Sequence, residues 1–295
     1  MAKRVNFHLL VTVVLWAGNF AAIKALHQQL STEAVALLRT IPTAIFFVIV
    51  AKWQGESLRF TSPEHAWRSI LQGFLSMGIY MILFLAGLHR TNENAGAIIM
   101  ATSPLMTGLL SVVFKQDKFR WDVLIGAAIA LGGIGVIFGH GSEKPGELLG
   151  NFLVFAGALV WALSVIVIRP LLRDHSPAKL TAQAMIGGCL VMIPFGWSAT
   201  MQVEWASILP LTWAALLYTS ILSGGVAFIT YYQGISEIGA ARATLYQYLI
   251  PPTAILIGHF LLGTPILTTQ IVGLVIVLAG VMLGNRVQAT SKLAT

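Results

Sequence analysis

Residues 243–285 read ATLYQYLIPPTAILIGHFLLGTPILTTQIVGLVIVLAGVMLGN, 43 positions without one Asp, Glu, Lys or Arg. Coiled as a single α-helix this run would be about 64 Å long. A bilayer core is about 30 Å thick and is crossed by about 20 apolar residues. The run is therefore two crossings. The break belongs at Gly263-Thr264-Pro265, because Gly and Pro together favour a turn. β-Barrel strands would alternate apolar and polar residues with period two, whereas this run is continuously apolar.

The rest of the chain reads the same way. Charged residues make up 10% of the 295 positions, hydrophobic residues 57%, and mean hydropathy is +0.81. A soluble domain carries about 25% charged residues. An ordinary soluble enzyme and a disordered chain are both excluded. The net charge of +7 comes from scattered residues with no basic stripe, so nucleic acid is not an expected partner. A single cysteine, Cys189, excludes a disulfide framework and a Cys-rich metal site. No cofactor and no metal are expected.

Cutting the chain at its charges predicts spans at 7–26, 33–51, 69–88, 95–114, 122–139, 149–168, 179–200, 210–232, 242–262 and 267–285. The first, preceded by Lys3 and Arg4, is too long for the core of a secretory signal and is expected to stay in place. Placing the N-terminus in the cytoplasm puts 14 Lys and Arg on that side against Arg90, Lys144 and Lys24 on the other. Basic residues gather on the cytoplasmic side. The asymmetry predicts both termini there and an even number of spans.

The two halves resemble each other. Trp16-x-x-Asn19 recurs as Trp161-x-x-Ser164, 145 residues later. Gly87 to Pro104 and Gly234 to Pro251 are both 17 residues; Pro104 to Gly126 and Pro251 to Gly273 are both 22. Gly126 to Gly133 and Gly273 to Gly280 are both 7, and Gln72 and Ser76 fall opposite Thr219 and Ser223 at an offset of 147. Five helices per half is an odd number, so the second copy enters the membrane from the opposite side. The expected fold is all-α: a polytopic membrane protein with ten transmembrane helices in two inverted five-helix repeats. The expected units are 1–140, 147–288 and a cytoplasmic tail at 289–295, with the loop around Gly139–Gly150 joining the halves. Inverted repeats are typical of carriers that bind substrate near the midplane between them.

These residues also resemble a family. Two halves of this length, a Trp-Ala-Gly-Asn-Phe element at Trp16 to Phe20 and proline in helices four and nine are similar to the EamA-type members of the drug/metabolite transporter superfamily. Within it the chain resembles the YddG-type amino-acid exporters of bacteria. Family members often carry Leu-Gly-Glu after helices four and nine. Here Asp117 stands near the first such position, while Gly263-Thr264 lacks the acid at the second. The resemblance implies export of small metabolites. The expected location is the cell (inner) membrane, and the expected assembly is a monomer or weak homodimer.

Polar side chains inside hydrocarbon usually face a bundle interior or a cavity, and residues three or four apart share a helix face. This selects Trp16 and Asn19 in helix one, Gln72, Ser76 and Tyr80 in helix three, Trp161 and Ser164 in helix six, and Thr219 and Ser223 in helix eight. In helix nine Thr244, Gln247, Tyr248 and Pro251 form the most polar face of the chain; its counterpart in helix four, Ala97, Met100, Ala101 and Pro104, is small and apolar. Proline gives no hydrogen bond to the carbonyl four residues earlier. Pro251 and Pro252 therefore free the carbonyls of Gln247 and Tyr248, and Pro104 frees that of Met100. Pro104 and Pro251 are also the expected hinges. A polar, aromatic wall opposite an apolar one suits a small amphipathic solute such as an amino acid, aromatic ones included. For any one of these residues the plainer reading is a bond to backbone or a neighbouring helix; only the helix-nine face as a group favours binding.

Arg39, two turns inside the second span, is expected to snorkel outward; otherwise it pairs with a substrate carboxylate. His259 is expected to be structural, Lys24 and Arg242 to anchor span ends, and the repeated glycines of helices five and ten to pack a scaffold. All eleven acids fall in loops or at span edges. With no membrane carboxylate to act as a relay, facilitated export without ion coupling is expected. A sugar-phosphate or nucleotide-sugar exchanger of the same superfamily is the alternative, though phosphate recognition calls for more than one buried cation. An intramembrane enzyme is the alternative from another class, but zinc-hydrolase and serine-hydrolase elements are absent. A channel would show a charged ring or a carbonyl filter, and neither is present.

Overall fold

The structure, a computed structural model, describes residues 6–116, 121–139, 146–238 and 246–285. Among them every regular element is helical. The first half contains α1 (Phe7–Leu26), α2 (Thr32–Trp53), α3 (Pro63–Gly73), α4 (Tyr80–Arg90), α5 (Glu93–Met100), α6 (Ser103–Val113) and α7 (Trp121–Gly139). The second contains α8 (Glu147–Ile168), α9 (Pro177–Met201), α10 (Pro210–Leu217), α11 (Ala227–Ile238), α12 (Ile250–Leu262) and α13 (Thr268–Asn285). Seven rods among the described residues are long and apolar enough to cross a membrane, and shorter apolar helices cover Leu124–Ile137, Ile250–Leu262 and Thr268–Leu283. The chain is a multi-pass membrane protein.

Local sequence explains where the rods begin. The side chains of Asn6, Ser31, Ser62 and Ser176 each accept a hydrogen bond from a backbone N–H of the first turn they cap. Several rods change form midway. A π-helical stretch, Phe74–Ile79, joins α3 to α4, and a second, Tyr218–Val226, joins α10 to α11. A turn at 101–102 separates α5 from α6, and another at 248–249 precedes α12. Pro104 and Pro251 sit in the first turn of the helix that follows, where the missing N–H costs nothing.

Span boundaries differ from expectation at several ends: the eighth rod runs on to Ile238, and the starts of the third and fourth also move. The third rod runs from Pro63 to Arg90 because Arg68 does not end it: its guanidinium reaches Glu64 (2.8 Å) and the Val167 carbonyl (3.3 Å). The fourth begins at Glu93, which is buried.

Helices of one half lie on helices of the other. A Cβ on Gly87 of α4 would sit 2.8 Å from the Gly150 carbonyl of α8, and Gly234 of α11 lies against Leu9 of α1. At the far side α7 packs on α13: a Cβ on Gly133 would lie 2.9 Å from the Gly273 carbonyl and from the Val277 nitrogen. One on Gly280 would lie 2.5 Å from the Gly126 carbonyl and 2.6 Å from the Ala130 nitrogen. Gly133 meets Gly273 while Gly126 meets Gly280, so the two helices run antiparallel.

Candidate functional site

The π-helical stretch Tyr218–Val226 faces the first half with its backbone. Such stretches loosen the regular carbonyl ladder and are frequent at functional sites. Here three of its carbonyls accept side chains from α1 and α2. Thr219 O takes a hydrogen bond from Arg39 Nη2 (3.3 Å), Ser220 O from Thr43 Oγ1 (2.9 Å) and Ser223 O from Trp16 Nε1 (3.2 Å). The positions Thr219 and Ser223 do face the other half, but through carbonyls. The Thr219 hydroxyl itself turns back to the Leu216 carbonyl at 3.1 Å.

Aromatic rings fill the space beside these carbonyls. Trp16 lies 5.3 Å from Phe228 and 5.2 Å from Tyr231, centroid to centroid. Phe228 continues to Trp161 at 6.3 Å, and Trp161 to Tyr80 at 5.2 Å. The chain of rings alternates between α1, α11, α8 and α4, two helices from each half. All five are half-buried. Aromatic pairs at such separations add to their area burial about 0.5–1.5 kcal/mol each. Phe228 and Tyr231 were not selected from the sequence, although the 147-residue offset that sets Gln72 opposite Thr219 also sets Phe84 opposite Tyr231.

The other selected residues divide. Asn19 is half-buried on the Trp16 face, and its Oδ1 accepts from Arg39 Nη2 at 3.2 Å. Gln72 donates to the Ser76 hydroxyl at 2.9 Å, a bond within one rod. Ser164 is fully buried and back-bonds to the Trp161 carbonyl at 2.7 Å. Tyr248 is buried in the main apolar core, which Met100 and Ala101 also line. Gln247 is half-buried at the turn before α12. Thr244, together with Arg242, lies outside the described residues.

Arg39 does not snorkel. It is 6% exposed, and its bonds run inward to Asn19, the Thr219 carbonyl and Met81 Sδ (3.4 Å). Its Nε has no partner. The reason lies in direction: the side chain leaves α2 on the face turned to α1 and the π-helical stretch, away from lipid.

A second polar cluster closes the opposite end of α1. Glu93 is 4% exposed and accepts from the Thr264 hydroxyl, and Asn94 donates to Gln270 at 3.4 Å. These contacts join the start of α5 to the loop between α12 and α13 and to the first turn of α13. His259, in the last turn of α12, reaches the same loop, its Nδ1 3.1 Å from the Thr264 carbonyl. At the other end Asn6 Nδ2 donates to Glu237 (2.6 Å), and the Asn6 backbone N–H donates to the Tyr246 hydroxyl (3.0 Å). His8 pairs with Glu237 at 3.1 Å.

Two surface cavities are separate from this centre. One of about 510 Å³ lies between α2 and α9 and is lined by Val48, Met185, Cys189 and Pro194 among others. One of about 260 Å³ is lined by Glu33, His89, Arg90 and Phe195 among others. Neither touches a residue selected from the sequence.

A multi-pass helical protein whose halves meet through rings and freed carbonyls belongs to the class of membrane transport proteins. The family model for EamA-like transporters matches twice, over residues 4–139 and 148–286, and the chain belongs to that family. It is similar to the uncharacterized transporter YyaM of Bacillus subtilis, 28% identical over 77% of this chain and 75% of that one. It is also similar to a probable terminal-alkyne amino-acid exporter of Streptantibioticus cattleyicolor, 25% identical over 94% of this chain and 92% of that one. A solved crystal structure shares the fold at a TM-score of 0.67 and 16% identity, covering 98% of both chains.

Proposed function

We propose that the protein exports small amphipathic metabolites, amino acids with apolar or aromatic side chains foremost, by exposing one central site alternately to each side of the membrane. The observation that carries this reading is the line of five rings beside the Thr219, Ser220 and Ser223 carbonyls. Rings accept an apolar side chain, and carbonyls accept an ammonium group. The similarity to a probable amino-acid exporter supports the same substrate class.

In this reading the chain crosses ten times in two inverted five-helix repeats, with both termini cytoplasmic. The antiparallel packing of α7 on α13 supports it, because Gly126, Ala130 and Gly133 meet Gly280, Val277 and Gly273, each residue's counterpart lying 147 positions away. Trp16, Asn19, Gln72, Ser76, Tyr80, Trp161, Ser164, Thr219, Ser223, Thr244, Gln247 and Tyr248 form or support the site. The breaks before Pro104 and Pro251 are the bending points. A single buried Arg39 in the centre gives the sugar-phosphate alternative little support.

Counterflow in proteoliposomes tests the transport reading. Unlabelled phenylalanine or leucine inside should accelerate uptake of the labelled amino acid with no ion gradient. Accumulation that requires a proton gradient would replace the facilitator reading with coupled transport. The topology is tested separately, after Cys189→Ser. Single cysteines near Arg59, Lys118 and Asp174 should resist impermeant thiol reagents in intact cells, and those near Asn92, Ser142 and Glu204 should react. The opposite pattern would invert the orientation.

A further inference from the structure

We propose that Arg39 is the anchor for a carboxylate group on the transported solute. The assignment rests on the transport reading above and narrows its substrate class to carboxylates. A guanidinium offers five N–H donors in a planar fork matched to a carboxylate. Here the side chain is buried, yet no carboxylate approaches it: the ion pairs among the described residues join His8 to Glu237 and Arg68 to Glu64. Its three contacts go to an amide oxygen, a peptide carbonyl and a thioether, all neutral and all between 3.2 and 3.4 Å. Charge-assisted bonds from guanidinium to oxygen are shorter, about 2.7–2.9 Å. The Nε–H makes none.

A purely structural arginine in a membrane interior is expected to be paired with an acid or to have its N–H groups taken up by backbone carbonyls, because an unpaired charge there is costly; Arg39 has one such carbonyl and an unpartnered Nε. Arg39 is instead held in place and left electrically unsatisfied. A carboxylate arriving from the ring-lined centre would replace weak neutral acceptors with a charged one. The approach is through Asn19, which is half-buried and shares a helix face with Trp16. The geometry divides the solute. Its carboxylate meets Arg39, its ammonium meets Asn19 Oδ1 and the π-helical carbonyls, and its apolar side chain lies among Trp16, Tyr80 and Trp161. Asn19 is a positioning residue that holds Nη2 until the solute arrives.

The test is competition in counterflow by four matched compounds: phenylalanine, 3-phenylpropionate, phenylalaninamide and phenethylamine. Wild-type protein should bind the two carboxylates at least tenfold better than the amide and the amine. Arg39→Gln should weaken both carboxylates tenfold to a hundredfold, as expected for losing bonds to a charged group, and leave the other two unchanged. Arg39→Lys, which keeps the charge without the fork, should fall between. If Arg39→Gln does not fold, as read by thermal stability without solute, the wild-type series and Arg39→Lys still decide. Equal competition by acid, amide and amine would overturn the assignment while leaving amino-acid transport standing. So would an equal loss for all four compounds in a folded Arg39→Gln. If none of the four competes, the transport reading falls and takes this assignment with it.

Discussion

Two antiparallel contacts each join one helix of the first half to one of the second, and they are built from opposite materials. The α7–α13 seam is apolar and built on glycines that bring backbone to backbone, with Ala130, Val277 and Ile137 filling the rest. The contact of α1 with α11 and the π-helical stretch before it is made of rings, hydroxyls and carbonyls. Thr12 meets Thr230 at 2.8 Å, Trp16 reaches the Ser223 carbonyl, and Phe228 and Tyr231 remain half-buried. A seam in which a single added methyl collides with a peptide group has one arrangement. A contact of partly exposed rings and exchangeable hydrogen bonds has several of similar energy. The first suits a fixed scaffold and the second a surface that opens.

The sharpest way to break this contrast is to enlarge the seam. Gly280→Ala places a methyl against the backbone of Gly126 and Ala130, and no flexible side chain is there to yield. Overpacking of this kind costs about 1–3 kcal/mol or more. The expectation is the upper end, about 3 kcal/mol, seen as a large loss of thermal stability in detergent with transport lost alongside. The lipid-exposed neighbour Val275→Ala should stay within about 0.5 kcal/mol of wild type. Equal behaviour of the two variants would show that the seam is not rigid.

The seam residues carry no titratable group, so its stability should not follow pH. The C-terminal end of α1 should. His27, just past that helix, is lowered to about 3 by burial first, then by His89, Lys24 and Arg39. It is neutral in the folded protein near neutral pH, while the unfolded chain protonates near 6.5. The unfolded state therefore binds more protons between these values, and stability falls as pH drops from 6.5 toward 3. The loss by pH 5 is at most about 2 kcal/mol. His27→Gln should flatten the dependence in a melting series; an unchanged slope would assign it elsewhere.

On the α1–α11 side Trp16→Phe keeps a ring and removes the N–H, leaving the Ser223 carbonyl without its partner. About 1 kcal/mol of stability should be lost, with a larger change in transport than in melting temperature. The smallest effect is expected at Ser164→Ala. Among the described residues that hydroxyl bonds to the Trp161 carbonyl of its own helix, so stability and transport should both change by less than about 0.5 kcal/mol equivalent. A loss at Ser164 as large as at Trp16 would mean that side-chain hydroxyls, and not the carbonyls of the π-helical stretch, shape the centre.

The sequence by itself determined that this is a multi-pass helical membrane protein, because hydrocarbon admits only long apolar runs with their backbone bonds made internally. It determined the family as well, through Trp16 to Phe20 and the matched prolines. It also pointed to Trp16, Asn19, Tyr80 and Trp161 as one neighbourhood, since helical spacing puts each on a definite face. What it could not determine was how faces from different helices meet. Hydroxyls at Thr219 and Ser164 looked like site groups, but a short side chain on a helix reaches its own preceding carbonyl more easily than a neighbour. The carbonyls of Thr219, Ser220 and Ser223 became acceptors through a π-helical stretch that composition does not announce. Phe228 and Tyr231 joined the centre only when α11 was laid against α1. Glu93 looked like a loop acid until the α12–α13 loop covered it. Arg39 looked like a snorkelling residue because depth alone was visible; the direction of its side chain was set by α1 and the π-helical stretch packing against it, and direction is a property of the assembled fold.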